Sequence, residues 1–300
     1  MGRGPEAVGF DAVVMVDWSS AAVPRLGADS IWLALARVGA GSLDRLENIP
    51  TRAAAIDAVE GIARAEAAAG RRVLIGFDFP FGYSAGTAAA LTGHADWRAV
   101  WALLHERIED GPDNANNRFE VAAALNRTVW DGEGPFWGRP PRPDRRGLPT
   151  RKPAGYGERY PPERRAVERR VPKAQPGWKL FTTGSVGGQV LVGLAALERL
   201  RRRLGDLAAV WPFETGWECG VRPATLAEIY PSLLAPDPRE AVKDAGQVRA
   251  VAETLARLAA RGRLAPLFGR PEALTEAEER AALAEEAWIL GVGWETALRG

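Results

Sequence analysis

Two short apolar segments of the chain each end on an aspartate. The first is Ala12-Val-Val-Met-Val-Asp17, and the second is Val73-Leu-Ile-Gly-Phe-Asp78. Runs of β-favouring residues bounded by turn residues are typical of buried strands, in which aspartate is uncommon. Ligands of open α/β sheets bind at the carboxyl ends of the strands. Two carboxylates held together at such an edge repel each other and suit a divalent cation, which points to metal-dependent phosphoryl chemistry.

The composition limits which other groups could react. The 300 residues have a formal net charge of +1 and include one cysteine and two histidines. A structural Cys/His zinc site is nearly excluded because it usually needs four ligands, and an intrachain disulfide needs two cysteines. His94 and His105 have no motif near them. Carboxylates, arginines, lysines and hydroxyls are therefore the groups left for chemistry.

The hydropathy of the chain predicts a cytoplasmic protein with no membrane partner. No apolar run reaches the eighteen residues that a membrane span needs. The first residues, Met-Gly-Arg-Gly-Pro-Glu, lack the apolar stretch of a signal peptide. A net charge near zero identifies no partner by itself, and the oligomeric state stays open.

The elements that must position the two aspartates follow the order βββαβ. Thr51 is a candidate N-cap, and Gly70 stands just past the end of an alanine-rich segment. Later segments predict two further strands and two closing helices. The predicted strands are 12–17, 30–38, 43–48, 73–78, 208–213 and 225–230, and the predicted helices include 52–69, 189–204, 240–261 and 274–290.

Residues 84–184 read as a region of helices and basic loops inserted into a single domain, 1–300. Within this insertion, 139–173 holds twelve Lys and Arg residues against four Asp and Glu residues, with eight prolines. Such a segment cannot form a packed core on its own. It is either a solvated arginine-rich loop or an arm that binds the phosphates of a nucleic acid or a nucleotide.

A glycine-rich stretch precedes the helix predicted at 189–204. It reads Trp178-Lys-Leu-Phe-Thr-Thr-Gly-Ser-Val-Gly-Gly-Gln189 and matches neither a Walker A loop nor a dinucleotide fingerprint. Glycines before a helix can present backbone N–H groups to an anion, which makes Gly184 and Ser185 candidate substrate-binding residues. The alternatives are that the glycines permit close packing and that Ser185 caps the helix.

Four short motifs together resemble a bacterial domain-of-unknown-function family described as predicted RNase H-like nucleases. Close relatives of that family are also labelled molybdopterin guanine dinucleotide synthesis proteins. The resemblance implies an α/β, RNase H-like fold: a mixed five-stranded sheet with a helical insertion and C-terminal helices, in which strands one and four are parallel neighbours. The motifs are Val16-Asp-Trp-Ser19, Gly76-Phe-Asp-Phe-Pro80, Ala227-Glu-Ile-Tyr-Pro-Ser232 and Lys243-Asp-Ala-Gly-Gln-Val-Arg249.

The resemblance also implies a set of site residues. Asp17 and Asp78 would lie side by side and bind Mg²⁺ or Mn²⁺ together with Glu228, while Asp244 would complete the catalytic carboxylates. The substrate-binding candidates are Lys243, Arg249, Ser19, Gly184 and Ser185. The Glu285/Glu286 pair, expected in the final helix, is a further source of a ligand.

Each carboxylate also has a simpler interpretation. Asp17 fits an Asx turn at a strand end, although the recurrence at Asp78 favours a metal site. Glu228 fits a solvated or ion-paired residue at the end of a strand. Asp244 fits a favourable interaction with a helix dipole.

Three functions are consistent with these residues. The first is a metal-dependent nuclease or phosphodiesterase. The second is a binding or regulatory protein with a decayed RNase H-like site. The third is a nucleotide-handling protein of molybdenum cofactor synthesis. An active nuclease needs several converging carboxylates, whereas a nucleotide-handling protein needs a closed pocket.

Overall fold

A six-stranded mixed sheet forms the centre of the structure. The computed structural model describes residues 9–220 and 222–299. The strands are β1 (Ala12–Asp17), β2 (Ile31–Arg37), β3 (Leu43–Ile49), β4 (Val73–Phe77), β5 (Ala208–Val210) and β6 (Ala224–Glu228). The sheet has the order β3-β2-β1-β4-β6-β5; β2 is antiparallel to its neighbours β1 and β3, and β4, β6 and β5 run parallel to β1.

Helices cover both faces of this sheet. They are α1 (Arg52–Ala68), α2 (Thr87–Thr92), α3 (Trp97–Arg107), α4 (Arg118–Val129), α5 (Ala166–Arg170), α6 (Gly187–Leu204), α7 (Lys243–Ala260), α8 (Glu276–Ala281) and α9 (Glu295–Arg299). On one face α7 packs against β1 and β2, and on the other face α1, α3 and α6 share a core with the same strands.

The apolar run of β1 results from this double cover. Val14 and Val16 face the core of α1 and α6, whereas Val13 and Met15 face the core of α7. Side chains alternate between the faces of a strand, so a strand buried on both faces is apolar throughout. The chain can therefore become polar only where β1 ends, at Asp17.

The α/β class and the βββαβ start are confirmed, but the expectation of five strands is wrong. Both late segments that the sequence marks as strands join the sheet: β6 pairs with β4, and the short β5 lies outside β6. The backbone of Trp211 continues this pairing by donating to Leu226 O, after which Pro212 has no N–H to donate. The extra edge strand is therefore only three residues long.

The long closing helix expected at 274–290 is also wrong. Helix α8 covers only Glu276–Ala281, and a π-helical turn follows at Ala282–Glu286. Ala287 then adopts a left-handed φ of 61°, a conformation that ends a helix. Glu285 and Glu286 thus lie in the π-helical turn and not in the final helix.

The 139–173 segment is mostly irregular, as its composition predicts. Between 139 and 173 the only helix is the five-residue α5. Across the described ranges, no helix combines the length and the apolar character needed to cross a membrane. The expectation about a signal peptide concerns residues 1–6, which lie outside the described residues.

Candidate functional site

The carboxyl ends of β1 and β4 bring Asp17 and Asp78 together. The two strands are parallel neighbours, with Val16 opposite Phe77, and Asp78 N donates to Val16 O. The two carboxyl groups are hydrogen-bonded to each other. Asp78 Oδ1 also accepts a hydrogen bond of 2.7 Å from Trp18 N. The sheet edge therefore holds a fixed pair of half-buried carboxyl groups.

Both members of this pair resist ionisation. Burial raises the pKa of Asp17 well above its ordinary value, and the charge of Asp78 raises it further. Burial also raises the pKa of Asp78. Because two adjacent carboxylates repel each other, their ionisation is coupled, and a proton held by the pair lies in a hydrogen bond from Asp17 to Asp78. A bound divalent cation would offset the repulsion between the two carboxylates and so favour loss of that proton.

Asp244 is the third carboxylate of this edge. It lies in the first turn of α7, and its charge raises the pKa of both Asp17 and Asp78. Asp244 Oδ2 accepts a hydrogen bond of 2.8 Å from Asp29 N, which connects α7 to the loop between β1 and β2. Asp244 thus acts as a loop anchor and leaves Oδ1 without a hydrogen bond among the described residues.

A buried arginine fixes the loop that follows Asp17. Arg52 is fully buried at the start of α1 and forms an ion pair with Asp110. Its Nη1 donates to the carbonyl oxygens of Ser19 at 3.1 Å and Ala21 at 2.7 Å. Sequence reasoning missed this contact, because arginine is common in the chain and Asp110 is 58 residues away.

Two adjoining clefts open at this edge of the sheet. The aspartate cleft, of about 560 Å³, is lined by Asp17, Asp244 and the hydroxyl-rich loop before α6. The lysine cleft, of about 360 Å³, is lined by Asp78, Glu228 and Lys243. Gly184 and Gln189 line both clefts, so the two are continuous around the aspartate pair.

Glu228 has a different environment from the aspartate pair. It is 2% exposed and forms a bidentate ion pair with Arg165, with distances of 2.6 and 2.7 Å. Its Oε2 also accepts a hydrogen bond of 2.9 Å from Phe81 N, three residues after Asp78. Glu228 therefore anchors the loop that follows β4, and it could bind a metal only if the ion pair opened.

The Glu285/Glu286 pair also binds backbone groups. Glu285 accepts hydrogen bonds from Gly86 N at 2.9 Å and Ala88 N at 3.1 Å, at the start of α2. Glu286 accepts from Ala85 N at 2.8 Å and Ala166 N at 2.7 Å. These contacts satisfy backbone N–H groups at the starts of α2 and α5. Both carboxylates therefore already have hydrogen-bond partners.

Lys243 and Arg249, the two candidate cations of the fourth motif, have different surroundings. Lys243 is exposed, lines the lysine cleft with Asp78, and makes no hydrogen bond or ion pair within the described ranges. Arg249 is paired with Glu240 at 2.7 Å and Glu253 at 3.0 Å. Lys243 is thus available to an anionic ligand, whereas Arg249 is neutralised within its own part of the fold.

The remaining candidates lie around the aspartate cleft. Ser19 Oγ donates to Asp29 O at 3.1 Å and accepts from Ala21 N at 3.2 Å, so its hydroxyl stabilises the loop after β1. Gly184 has a left-handed φ of 72°. Ser185 does not cap α6, whose N-cap is Val186 with no side-chain hydrogen bond. The cap interpretation of Ser185 is therefore wrong, and Ser185 lines the aspartate cleft.

The aspartate pair fits a divalent cation by its donor chemistry. In the described part of the chain, no three carboxylate, histidine or cysteine side chains are grouped so that they alone could hold one ion. Mg²⁺ is nevertheless commonly bound through one or two carboxylates, with water and substrate phosphates as the other ligands. Asp17 and Asp78 match this pattern of hard oxygen donors.

Half of the twelve cations in the 139–173 segment form ion pairs. Arg145 is paired with Glu120, Arg165 with Glu168 and Glu228, and Arg170 with Glu278. Four cations of the segment make no side-chain hydrogen bond or ion pair within the described ranges: Arg142, Arg146, Arg151 and Lys173. Lys173 lines the lysine cleft together with Arg165 and Glu168, so the end of the segment borders the site.

No protein-family model, curated protein or solved structure shows significant similarity to the chain.

Proposed function

We propose that this protein is a metal-dependent phosphodiester hydrolase built on an RNase H-like sheet, with Asp17 and Asp78 as its central carboxylates. The fold assignment is supported by the antiparallel β1-β2-β3 unit, the helix α1 that follows it, and a parallel β4 beside β1. The substrate class follows from the open, joined clefts, which suit an extended phosphodiester chain better than a closed nucleotide pocket.

The observation that carries this proposal is the hydrogen-bonded aspartate pair at the carboxyl ends of two parallel strands. A structural pair of acids would gain nothing from two raised pKa values, because both oppose folding at neutral pH. Perturbed carboxylates in a cleft are typical of functional sites. Loss of the shared proton would convert the pair into two oxygen donors.

Each neighbouring group has a defined part in this chemistry. A bound divalent cation would polarise a phosphoryl oxygen and activate water. Trp18 N holds Asp78 Oδ1, and the ion pair of Arg165 with Glu228 holds the loop after Asp78. The free ammonium group of Lys243 would bind the phosphate from the lysine cleft.

Cleavage of labelled oligonucleotides tests the proposal. Single-stranded DNA, single-stranded RNA and an RNA–DNA hybrid would be incubated with Mg²⁺, with Mn²⁺ or with EDTA. We expect cleavage that requires the cation and falls at least about 100-fold in Asp17→Asn and Asp78→Asn, the scale at which loss of one charge-stabilising group acts. The control is Asp206→Asn, which changes an exposed aspartate paired with Arg222. Cleavage that survives both site variants would refute the assignment.

One observation favours a second function, a binding protein with a decayed site. No third carboxylate joins the aspartate pair closely enough to complete an ion-binding group in the described ranges. Such a protein would bind the same oligonucleotides without cleaving any of them. The cleavage assay, run beside a binding assay on the same samples, separates the two functions.

A further inference from the structure

Arg118 is a buried cation with an unsatisfied side-chain nitrogen. It is the first residue of α4, is 9% exposed and lines the aspartate cleft. Its Nη1 donates to Asn116 Oδ1 at 2.7 Å, but its Nε is buried without a partner. Within the described ranges Arg118 forms no ion pair. Burial of a guanidinium group with an unsatisfied N–H lowers the stability of a fold unless an anion accepts the missing hydrogen bond.

The unpaired Nε lies at the start of α6. A Cβ added to Gly188 would be 3.1 Å from Arg118 Nε and 2.9 Å from Ser20 Oγ. Gly188 is the second residue of this 18-residue helix. Because glycine has no side chain, Arg118 and the Ser20 hydroxyl can lie close to the backbone of the first turn. A side chain at position 188 would separate them from the helix.

The first turn of α6 offers donors of its own. Its N-cap, Val186, has no side chain that could accept a hydrogen bond. Gly187 N is bound to Lys179 O, whereas Gly188 N and Gln189 N have no acceptor among the described residues. Free N–H groups at a helix start, together with the helix dipole, favour an anion.

The residues around this point have matching chemistry. The hydroxyls of Ser20, Thr183 and Ser185 line the aspartate cleft and are not hydrogen-bonded through their side chains within the described ranges. Burial lowers the pKa of Arg118 to about 10, so the guanidinium still carries its charge at neutral pH. A tetrahedral oxyanion would satisfy these donors together, since guanidinium groups bind phosphate with charge-assisted hydrogen bonds.

We propose that Arg118, the Ser20 hydroxyl and the first turn of α6 form a phosphate-binding subsite in the aspartate cleft. The subsite holds one phosphate of the substrate beside Asp17 and Asp78. This choice of ligand rests on the proposed function. The phosphate is either an internal diester of a nucleic-acid strand or a terminal monoester.

The test measures binding in EDTA, so that no divalent cation contributes. The probes are inorganic phosphate and a short thymidine oligonucleotide with and without a 5′-phosphate, titrated by calorimetry. Arg118→Gln removes the charge while keeping a donor for Asn116. Gly188→Ala places a methyl group into the subsite while favouring the helix. The matched control is Arg127→Gln, an exposed arginine of the same helix α4.

We expect Arg118→Gln and Gly188→Ala each to weaken phosphate binding by at least about 10-fold, with melting temperatures that show a folded protein and with Arg127→Gln unchanged. A defect confined to the 5′-phosphorylated oligonucleotide and inorganic phosphate assigns the subsite to a terminal monoester. An equal defect with both oligonucleotides assigns it to a diester. Wild-type affinity in both variants, or no phosphate binding by wild type, would overturn the subsite.

The same series separates this subsite from the proposed function. Asp17→Asn removes a member of the aspartate pair but none of the phosphate donors, so it should bind phosphate at least as tightly as wild type. If no protein cleaves but the Arg118 and Gly188 variants lose binding, the subsite stands and the hydrolase proposal fails. If wild type cleaves and these variants bind normally, only the subsite fails.

Discussion

Asp17 and Asp78 are held together by the sheet although their charges oppose this arrangement. Burial raises both pKa values, and the charge of Asp78 raises that of Asp17 further, so the folded chain releases these protons at a higher pH than the unfolded chain does. Stability from this source is present below the ordinary pKa of aspartate and is lost as pH rises through the raised pKa. The two raised pKa values therefore destabilise the metal-free protein at neutral pH, and a substitution in the pair can measure this effect.

Asp17→Asn should stabilise the metal-free protein at neutral pH, because the amide can donate to Asp78 as the protonated acid does. A gain of about 1 kcal/mol would raise Tm by roughly 2–4 °C, and the gain should shrink as pH falls towards the ordinary pKa of aspartate. Thermal melting in EDTA at several pH values measures this. Asp206→Asn is the control, and an equal or lower Tm for Asp17→Asn at neutral pH would contradict the account of the pair.

Glu228→Gln separates a structural residue from a metal ligand. The change weakens the buried pair with Arg165, so we expect a loss of stability of about 1–3 kcal/mol in EDTA. Because its oxygens are bound to Arg165 and Phe81, we expect the Mn²⁺-induced rise in Tm to persist. A variant that melts normally in EDTA but no longer responds to Mn²⁺ would instead make Glu228 a ligand.

At the scale of elements, the strands position the aspartates and the helices fix the loops beside them. Helix α1 does so through Arg52, which binds the carbonyl oxygens of Ser19 and Ala21, and α7 does so through Asp244, which binds Asp29 N. The site thus depends on contacts between elements far apart in the sequence. Changes in these contacts should affect both stability and cation binding.

Arg52→Met should destabilise the protein by about 3–5 kcal/mol, because it leaves Asp110 buried without its partner. It should also reduce the Mn²⁺-induced stabilisation, since the loop after Asp17 loses its anchor. Urea denaturation with and without Mn²⁺ measures both effects. Arg64→Met, which breaks an exposed pair with Glu60 on the same helix, should cost no more than about 1 kcal/mol. Similar losses for the two variants would refute the anchor role of Arg52.

The local patterns of the sequence were sufficient to predict these elements but not their long-range contacts. The apolar runs of β1 and β4 and the N-cap Thr51 follow from neighbouring residues, and all three are observed. The π-helical turn before Ala287 could not be predicted, because distant backbone groups hold Glu285 and Glu286 there. The pairing of Arg165 with Glu228 spans 63 residues and has no periodicity that would reveal it.

At the scale of the whole molecule, the charge of the 139–173 segment is partly offset by folding. Acids from other parts of the chain, Glu120, Glu228 and Glu278, neutralise several of its arginines. A count of charges along the sequence therefore overstates the positive surface that this segment offers to a partner. The cations of the segment that have no side-chain partner among the described residues, Arg142, Arg146, Arg151 and Lys173, are exposed. They are the residues to change in a test of nucleic-acid binding.

Replacing Arg142, Arg146 and Arg151 together with glutamine should weaken oligonucleotide binding and reduce its salt dependence. Each lost phosphate contact should lower the slope of log K against log salt by about 0.7–0.9, depending on strandedness. Fluorescence anisotropy between about 50 and 200 mM salt measures the slope. A control with the same charge change, Arg107, Arg261 and Arg263 to glutamine, should bind as wild type. Equal effects of both triple variants would leave the segment as a solvated loop.

A crystal soaked with Mn²⁺ and measured for anomalous scattering would show whether Asp17 and Asp78 form a divalent cation site. We expect an anomalous peak in contact with both carboxylates, no such peak in Asp17→Asn crystals, and an intact ion pair between Arg165 and Glu228. A wild-type map without a peak at the aspartate pair, from crystals that show Mn²⁺ bound elsewhere, would contradict this expectation.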